Sequence, residues 1–313
     1  MKKFRELAIV IPYFKINYFD ELLRALENQT CKDFNVYIGD DCSVDSPIDV
    51  ISKYKGRINI FYQKFENNLG SSDLVAQWER CLKLLDNESW VWVLPDDDIP
   101  SPNVVEEFYN NLELTDKHNI KIFRMGMSII DENGKIIKKL NQTNPLLESN
   151  LEFYSRLMKG ETSASLGDNI FNRSSLDKSG GFINFPKAWG SDHATVLSVA
   201  QGGNICFLPT SRLYFRMSGE NISSDVSDGA IKLGARIQFV SWLKSNESIF
   251  PTKPEKEFYK LFYWKGEYYV LYEWAFSIKV LILLYQLRKK CFGSGSLLSI
   301  LKISFQKIGF LKT

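Results

Sequence analysis

The first hundred residues alternate between short apolar runs and segments with helical periodicity. The segments FDELLRALENQT and SSDLVAQWERCLKLLD repeat apolar residues every three or four positions, the spacing of one helix face. The apolar runs between them have the length of single strands and end in polar residues, as in LAIVIPYF, FNVYIGDD, RINIFYQ and WVWVLPDDD. Strands that alternate with helices predict an α/β fold, with a mostly parallel central sheet flanked by helices.

The pattern is less regular beyond about residue 103. We predict a helix that begins near Ser191 and two short strands with a loop in GNICFLPTSRLYFRMSGENISS. The other predicted elements are helices at VVEEFYNNLEL and LEFYSRLMKG and strands at KIFRMGMSIID and IIKKL, the strands being joined by an ENGK turn.

Composition excludes several classes of protein. The 39 basic and 37 acidic residues leave a formal charge of +2, too small for a nucleic-acid binder that relies on bulk charge. Five cysteines without a CxxC pair and two histidines argue against structural zinc and favour a reduced, cytosolic environment. The apolar run near the N-terminus is shorter than a signal-peptide core, so we interpret it as the first strand.

Polar or conformationally special residues follow each of the first four strands. The carboxyl ends of parallel strands meet at one edge of a sheet, where ligands bind in folds of this class. We therefore expect a binding crevice that brings together Pro12, Tyr13, Asp40, Asp41, Asn68, Gly70 and Asp96 to Asp98.

Three consecutive carboxylates, Asp96, Asp97 and Asp98, end the strand WVWVLPDDD. Such a triplet can hold a divalent cation, extend a helix N-cap, or form a solvated turn. The neighbouring strand ends favour the cation, because an ion held by one or two carboxylates keeps positions open for a nucleotide diphosphate. Asp40 or Asp41 would then accept a hydrogen bond from the base or ribose, and Pro12 or Tyr13 would supply an apolar wall.

The order of these motifs resembles the family-two glycosyltransferases, which have the Rossmann-like GT-A fold. Over about residues 6–105, the segments IVIPYF, DDCSVD, NNLG and DDD occupy the places of a strand with proline, DDGSxD, NxGxxxAxN and DxD. The resemblance departs at QWER, where many members have an Arg-Asn pair. It implies transfer with inversion from a nucleotide-sugar, most often a UDP-sugar.

The resemblance also implies roles for individual residues. Asp98 would be the more direct ligand of Mn²⁺ or Mg²⁺, while Asp96 would lie closer to the ribose or sugar, with Asp97 beside them in the nucleotide site. Asp40 or Asp41 would contact the base. Asn68 and Gly70 would shape the loop over the nucleotide.

Sugar transfer also requires a base for the acceptor hydroxyl. Family members place an acidic residue at the start of a helix after a glycine-rich loop, and GGFINFPKAWGSDHATV offers Asp192 there. The alternative is an ordinary helix start, since Ser191 and Asp192 are common at such positions. His193 is expected to point elsewhere. Arg216 either binds diphosphate oxygens or is solvated in a hairpin.

We expect residues 1–225 to form the GT-A domain, with a nucleotide-binding half of about 1–105 and an acceptor half of about 106–225. Residues 226–313 are expected to form a C-terminal helical extension. Its two amphipathic segments, YVLYEWAFSIKVLILLYQLRKK and SLLSILKISFQKIGFLKT, either pack on the domain or lie on the inner face of the cytoplasmic membrane.

The sequence thus predicts an enzyme that transfers a hexosyl or N-acetylhexosaminyl group to a saccharide or lipid-linked saccharide, in assembly of a bacterial surface polysaccharide. A sugar nucleotidyltransferase is one alternative, but the first strand lacks the basic, glycine-rich phosphate loop of that chemistry. A non-catalytic carbohydrate- or nucleotide-binding protein on the same fold is another.

Overall fold

A computed structural model describes residues 5–140, 144–219, 228–246, 249 and 278–292. The strands are β1 Leu7–Tyr13, β2 Phe34–Asp40, β3 Asn59–Lys64, β4 Trp90–Val93, β5 Ile99–Pro100, β6 Ile120–Ile130, β7 Ile136–Lys139, β8 Leu147–Ser149, β9 Asn169–Asn172 and β10 Asn204–Arg216. The helices are α1 Phe19–Glu27, α2 Ile48–Tyr54, α3 Leu74–Leu82, α4 Val104–Leu112, α5 Leu114–His118, α6 Asn150–Lys159, α7 Arg173–Lys178, α8 Ser191–Val199, α9 Gly229–Ser245 and α10 Ile278–Phe292. A 3₁₀ turn spans Pro186–Ala188.

The strands form a single mixed sheet in the order β3-β2-β1-β4-β9-β6-β10-β5, with β7 paired to β6 and β8 paired to β10. Strands β1 to β4 pair in parallel, as β3-β2, β2-β1 and β1-β4. Strand β9 is antiparallel to both β4 and β6, whereas β6 and β10 are parallel. The predicted α/β architecture with a central sheet flanked by helices is confirmed.

Strand β1 is buried on both faces, which explains its continuous apolar run. Ala8 and Val10 belong to a core that includes side chains of α3, α8 and α9. Leu7, Ile9 and Ile11 belong to a second core with side chains of α1 and α4. Because successive side chains of a strand point to opposite faces, each face of β1 packs against its own helical layer.

The last long strand differs from its prediction. We expected two short strands and a loop, but β10 is one strand of 13 residues. Its pairing with β6 shifts register between Leu208 and Arg212, around Pro209, which has no N–H to donate to a ladder. The irregularity is therefore a shift of register within one strand and not a break between two.

The C-terminal region is described only in part. Helix α9 contributes Leu233, Phe239 and Val240 to the same core as α3 and α8, and α10 adds Leu287. No helix within the described residues has the length and hydropathy needed to span a membrane. The second amphipathic segment, residues 296–313, lies outside the described residues.

Candidate active site

The acidic turn, residues 96–98, lies at the carboxyl edge of the sheet and is tied to the loop after β1. Asp96 Oδ2 accepts hydrogen bonds from the backbone N–H groups of Phe14, at 2.7 Å, and Lys15, at 2.8 Å. These contacts bring together strand ends that are 82 and 81 residues apart in the chain. The predicted convergence of the β1 and β4 ends is present.

Asp98 is the most deeply buried residue of the acidic turn. Its Oδ1 accepts the backbone N–H of Arg216 at 2.9 Å, whereas its Oδ2 is buried without a hydrogen-bond partner among the described residues. The latter oxygen faces Gly167, where an added Cβ would lie 3.4 Å away. An unpartnered buried carboxylate oxygen is costly unless a proton or a cation compensates for it.

The carboxylates of the turn disfavour one another's charge. Burial, followed by the charge of Asp97, raises the pKa of Asp96 to about 7. The same two causes, in the same order, raise the pKa of Asp98 well above its ordinary value. Asp96 keeps part of its surface exposed, so solvent moderates this effect. A bound cation would reverse it by favouring the ionised forms.

The acidic turn fits a divalent cation that is only partly held by protein. Among the described residues, no group of three or more His, Cys, Asp or Glu side chains is placed to hold a metal ion. The orphaned Oδ2 of Asp98 and the nearby Asp96 carboxylate supply hard oxygen ligands. Mg²⁺ and similar ions commonly take one or two carboxylates and complete their coordination with substrate phosphates and water.

Asp41 anchors the loop that follows β3. Its Oδ1 accepts the N–H of Leu69 at 2.7 Å, and its Oδ2 accepts the N–H of Gly70 at 2.8 Å. The Arg80 guanidinium pairs with the same carboxylate and stacks 3.9 Å from the Phe65 ring centroid. A Cβ at Gly70 would lie 2.7 Å from Asp41 Oδ2, so this close approach requires glycine.

Asp40 and Asn68 also hold loops in place. The Asp40 carboxylate is fully buried and accepts the N–H of Ser43 at 2.8 Å and the hydroxyl of Tyr62 at 2.7 Å. Asn68 Oδ1 accepts the N–H of Ser71 at 2.9 Å. Both carboxylates of Asp40 and Asp41 therefore shape the surrounding loops. Contact of either one with a nucleotide base stays a prediction.

The structure excludes Tyr13, one of the two residues expected to form an apolar wall, whereas Pro12 is partly exposed. Tyr13 is fully buried, its ring lies 4.7 Å from that of Phe19, and its hydroxyl donates to the carbonyl of Asp45 at 2.7 Å. The next residue, Phe14, is 42% exposed beside the acidic turn. Tyr13 belongs to the same core as Ile9 and Ile11, whereas Phe14 follows the end of β1, where only the packing of the folded chain leaves it exposed.

Asp192 is the second residue of α8, as predicted. Ser191 is buried and its Oγ accepts the N–H of Phe185 at 3.1 Å, while the Asp192 side chain keeps 25% of its surface exposed. Asp192 Oδ1 accepts the N–H of His193 at 2.8 Å. The imidazole does not point away as expected, because its Nδ1 lies 3.5 Å from the same oxygen.

Asp168 is a functional candidate that the sequence motifs did not indicate. Asp168 is fully buried between the acidic turn and α8, and its carboxylate lies 3.3 Å from Arg124 Nη2. Burial raises the pKa of Asp168 to about 6 against the opposing effect of Arg124, and the charge of Asp192 adds to the rise. The neighbouring Gly167 carbonyl accepts from Trp92 Nε1 at 2.7 Å, which holds this segment against β4.

Arg216 is fully buried, so the alternative of a solvated hairpin arginine is wrong. Its Nε donates to the carbonyl of Asp97 at 3.0 Å, beneath the acidic turn.

Comparison with known proteins identifies the family. A family model described as Glycosyl transferase family 2 matches residues 8–176, more than half of the chain. The chain belongs to glycosyl transferase family 2. The match spans the strand ends, the anchored loop and the acidic turn described above.

Relatives of this family-2 chain include a staphylococcal enzyme. It is 26% identical over 170 residues to the poly(ribitol-phosphate) beta-N-acetylglucosaminyltransferase TarS of Staphylococcus aureus (strain Mu50 / ATCC 700699), covering 52% of this chain and 29% of that protein. A match to TarS of strain MW2 is 26% identical over 143 residues, covering 45% of this chain and 24% of that protein. The chain therefore spans less than a third of the length of these curated relatives.

Solved structures of TarS share the GT-A fold of this family-2 chain. The crystal structure of S. aureus TarS 1-349 in complex with UDP-GlcNAc has a TM-score of 0.60 at 17% identity, covering 97% of this chain and 92% of that chain. The complex with UDP has a TM-score of 0.57 at 16% identity, covering 98% of this chain and 92% of that chain. The predicted GT-A fold is confirmed.

The QWER segment of α3, where this family-2 chain departs from the commoner pattern, connects the two sides of the site. Arg80 holds Asp41 on the donor side. Trp78 packs edge-on against Phe182 at 5.6 Å, and the Glu79 carboxylate accepts the N–H of Phe182 at 2.6 Å. Phe182 begins the loop that leads to Asp192. One helix therefore positions both the loop held by Asp41 and the loop that leads to Asp192.

Proposed function

We propose that this protein is an inverting glycosyltransferase that moves a sugar from a UDP-sugar to an acceptor hydroxyl. The observation that carries the proposal is the acidic turn: two carboxylates of raised pKa, one with an orphaned oxygen, stand at the carboxyl edge of a family-2 sheet. A site that disfavours its own negative charge is suited to a divalent cation and the diphosphate it carries.

The donor site is formed by the ends of β1, β2 and β4. Phe14 supplies an exposed apolar surface for the nucleotide base, next to the N–H groups that hold Asp96. The loop anchored by Asp41 borders the nucleotide on the other side. A divalent cation held by Asp96 and Asp98 would neutralise charge on the departing diphosphate. Asp97 completes the turn.

Asp192 is the proposed base. It accepts the proton of the acceptor hydroxyl as the hydroxyl oxygen bonds to the anomeric carbon, and the bond to the UDP oxygen breaks on the opposite face. One base and a single displacement give inversion. The partial exposure of Asp192 at the start of α8 supports this role, because an acceptor must reach the carboxylate.

The relatives support a narrower substrate class. Their names describe transfer of N-acetylglucosamine to poly(ribitol-phosphate), and one solved structure of TarS is a complex with UDP-GlcNAc. For this chain we propose an N-acetylhexosamine or hexose donor. The proposed acceptor is a saccharide, free or lipid-linked, in assembly of a bacterial surface polysaccharide at the inner face of the membrane.

Calorimetric titration of UDP tests the donor site. We expect wild-type protein to bind UDP in the presence of Mn²⁺ and much more weakly in EDTA, and Asp98→Asn to lose the Mn²⁺-dependent component. Asp116→Asn is the matched control, because Asp116 is an exposed residue of α5 at the opposite edge of the sheet. The proposal would be contradicted if the wild-type protein bound none of UDP, GDP and dTDP, or if it bound UDP equally with and without metal.

A further inference from the structure

Arg216 ends β10 with its side chain fully buried. Burying a guanidinium is costly unless its charge is paired and its donors are hydrogen-bonded. The partners lie in three separate parts of the fold. Nε donates to the carbonyl of Asp97, at 3.0 Å, Nη1 to the carbonyls of Asp131 and Glu132, at 3.2 and 3.0 Å, and Nη2 to the carboxylate of Glu21, at 2.7 Å.

The backbone of the same residue holds the acidic turn. The N–H of Arg216 donates to Asp98 Oδ1, so one residue binds the main chain of Asp97 and the side chain of Asp98. The Tyr18 ring covers the guanidinium, with its centroid 4.0 Å from Cζ. Arg216 thereby joins the acidic turn to α1 and to the turn between β6 and β7.

This arrangement differs from that of a phosphate ligand. A phosphate-binding arginine presents the two parallel N–H groups of its fork to the anion. Here both terminal nitrogens already donate to protein oxygens, one of them to the carboxylate of Glu21. A direct contact with the diphosphate would have to replace the Glu21 ion pair.

We infer that Arg216 and Glu21 together are positioning residues of the donor site, which set the place of Asp98 without touching the nucleotide. The inference rests on the proposed function. Substitution of a group that orients a metal ligand typically lowers metal affinity or activity about 10- to 100-fold. Glu21 acts indirectly, because its carboxylate holds the Arg216 guanidinium, which supports the acidic turn.

The two roles of Arg216 predict opposite effects of Glu21→Gln. If Arg216 binds diphosphate, loss of the Glu21 charge releases the guanidinium, and UDP binds as tightly as before or more tightly. If Arg216 positions the turn, the same substitution loosens the support of Asp98, and more Mn²⁺ is needed for UDP binding. Glu21 is suited to the test because its side chain is 38% exposed and lies in α1, outside the acidic turn, and a glutamine amide oxygen can still accept a hydrogen bond from the guanidinium.

The experiment is a calorimetric titration of UDP at a series of Mn²⁺ concentrations, and in EDTA, with the full chain. We expect the Mn²⁺ concentration for half-maximal UDP binding to rise about tenfold in Glu21→Gln and in Arg216→Lys. Weak binding in EDTA should not change. Glu27→Gln is the matched control, since Glu27 ends the same helix and pairs with Arg57, away from the turn.

The outcomes separate the inference from the proposed function. Glu21→Gln that binds UDP like the wild type or more tightly overturns the positioning role, as does an affinity loss in Arg216→Lys of equal size with Mn²⁺ and in EDTA. Wild-type protein without Mn²⁺-dependent UDP binding overturns the donor site and this inference with it. Thermal unfolding of each variant identifies misfolding, and Glu21→Gln alone decides the question if Arg216→Lys does not fold.

Discussion

The two sides of the candidate site hold their carboxylates in different ways. On the donor side, Asp41 and Asp96 each accept two backbone N–H groups from loops distant in sequence. On the acceptor side, Asp192 accepts one N–H, from the adjacent His193, and keeps a quarter of its side chain exposed. The proposed donor side is held by hydrogen bonds from several loops, whereas the proposed base is accessible to an approaching hydroxyl.

The loop before the base adds to this contrast. Lys187 and Ala188 both have positive φ, at 56° and 53°, a backbone conformation that residues other than glycine rarely adopt. The strained segment leads directly to Trp189, which packs 4.7 Å from the ammonium of the buried Lys232 in α9. Helix α9 therefore contacts the loop that precedes the proposed base, although it lies beyond the expected domain boundary at residue 225.

The largest expected effect is on the acceptor side. Asp192→Asn should lower the rate of UDP release from a UDP-sugar in the presence of acceptor by about 10²- to 10⁴-fold, the usual contribution of a general base. The affinity for UDP with Mn²⁺ should stay unchanged, because Asp192 lies outside the donor site. Steady-state rates and calorimetry on the same preparations separate the two quantities. A parallel loss of UDP binding would contradict the division of the site.

The next effect concerns the donor side. Asp41→Asn should lower the free energy of unfolding by about 4 kcal/mol, because it breaks a largely buried ion pair and leaves the N–H groups of the loop poorly satisfied. UDP affinity should fall with it. Chemical denaturation measures the first quantity and calorimetry the second.

Arg57→Gln is the control for Asp41→Asn. Arg57 pairs with Glu27 at 2.8 Å, but its side chain is 60% exposed. Exposed ion pairs contribute roughly 1 kcal/mol or less, so this variant should unfold almost like the wild type. Equal losses in the two variants would show that the Asp41 pair has no special role.

A third prediction uses Asp168, which lies between the two sides. Burial raises its pKa to about 6 in the folded protein, and the unfolded value is near 3.9. The folded protein therefore binds this proton more tightly, so the free energy of unfolding falls as pH rises between these values. Below about pH 4, this difference in pKa adds its full contribution, about 3 kcal/mol, to the free energy of unfolding of the wild type. Denaturation from pH about 4 to about 7 should show the wild type losing this advantage over Asp168→Asn. A difference that does not vary with pH would contradict it.

The smallest expected effect concerns the connection between the two sides. Gly181 has φ +83°, and an added Cβ would collide with the Glu79 carboxylate. Gly56, at φ +80°, has open space around the same position. Gly56→Ala should cost about 1 kcal/mol for the backbone alone, and Gly181→Ala about 2 kcal/mol because a clash adds to it. Equal losses in the free energy of unfolding of the two variants would mean that the Glu79 side chain moves away from the added Cβ without cost.

Local patterns in the sequence predicted much of the fold. Strands β1 to β4 and the helix that begins at Ser191 were found because apolar run length and helical spacing are short-range signals. The β10 prediction failed at Pro209, where a proline, which usually lies at a strand end or edge, lies at a shift of register within one strand. Tyr13 was predicted as a possible wall residue, but the packing of β1 buries it and leaves the next residue, Phe14, exposed.

The sequence by itself determined that polar residues follow apolar strands at one sheet edge and that Asp192 lies in the first turn of a helix after a glycine-rich loop. Only the tertiary structure decided what each of these groups does. It left one Asp98 oxygen without a partner, and it joined Glu21 to Arg216 across 195 residues. The physical reason is that periodicity depends on neighbours along the chain, whereas the hydrogen bonds and burial of a carboxylate depend on groups that only folding brings together.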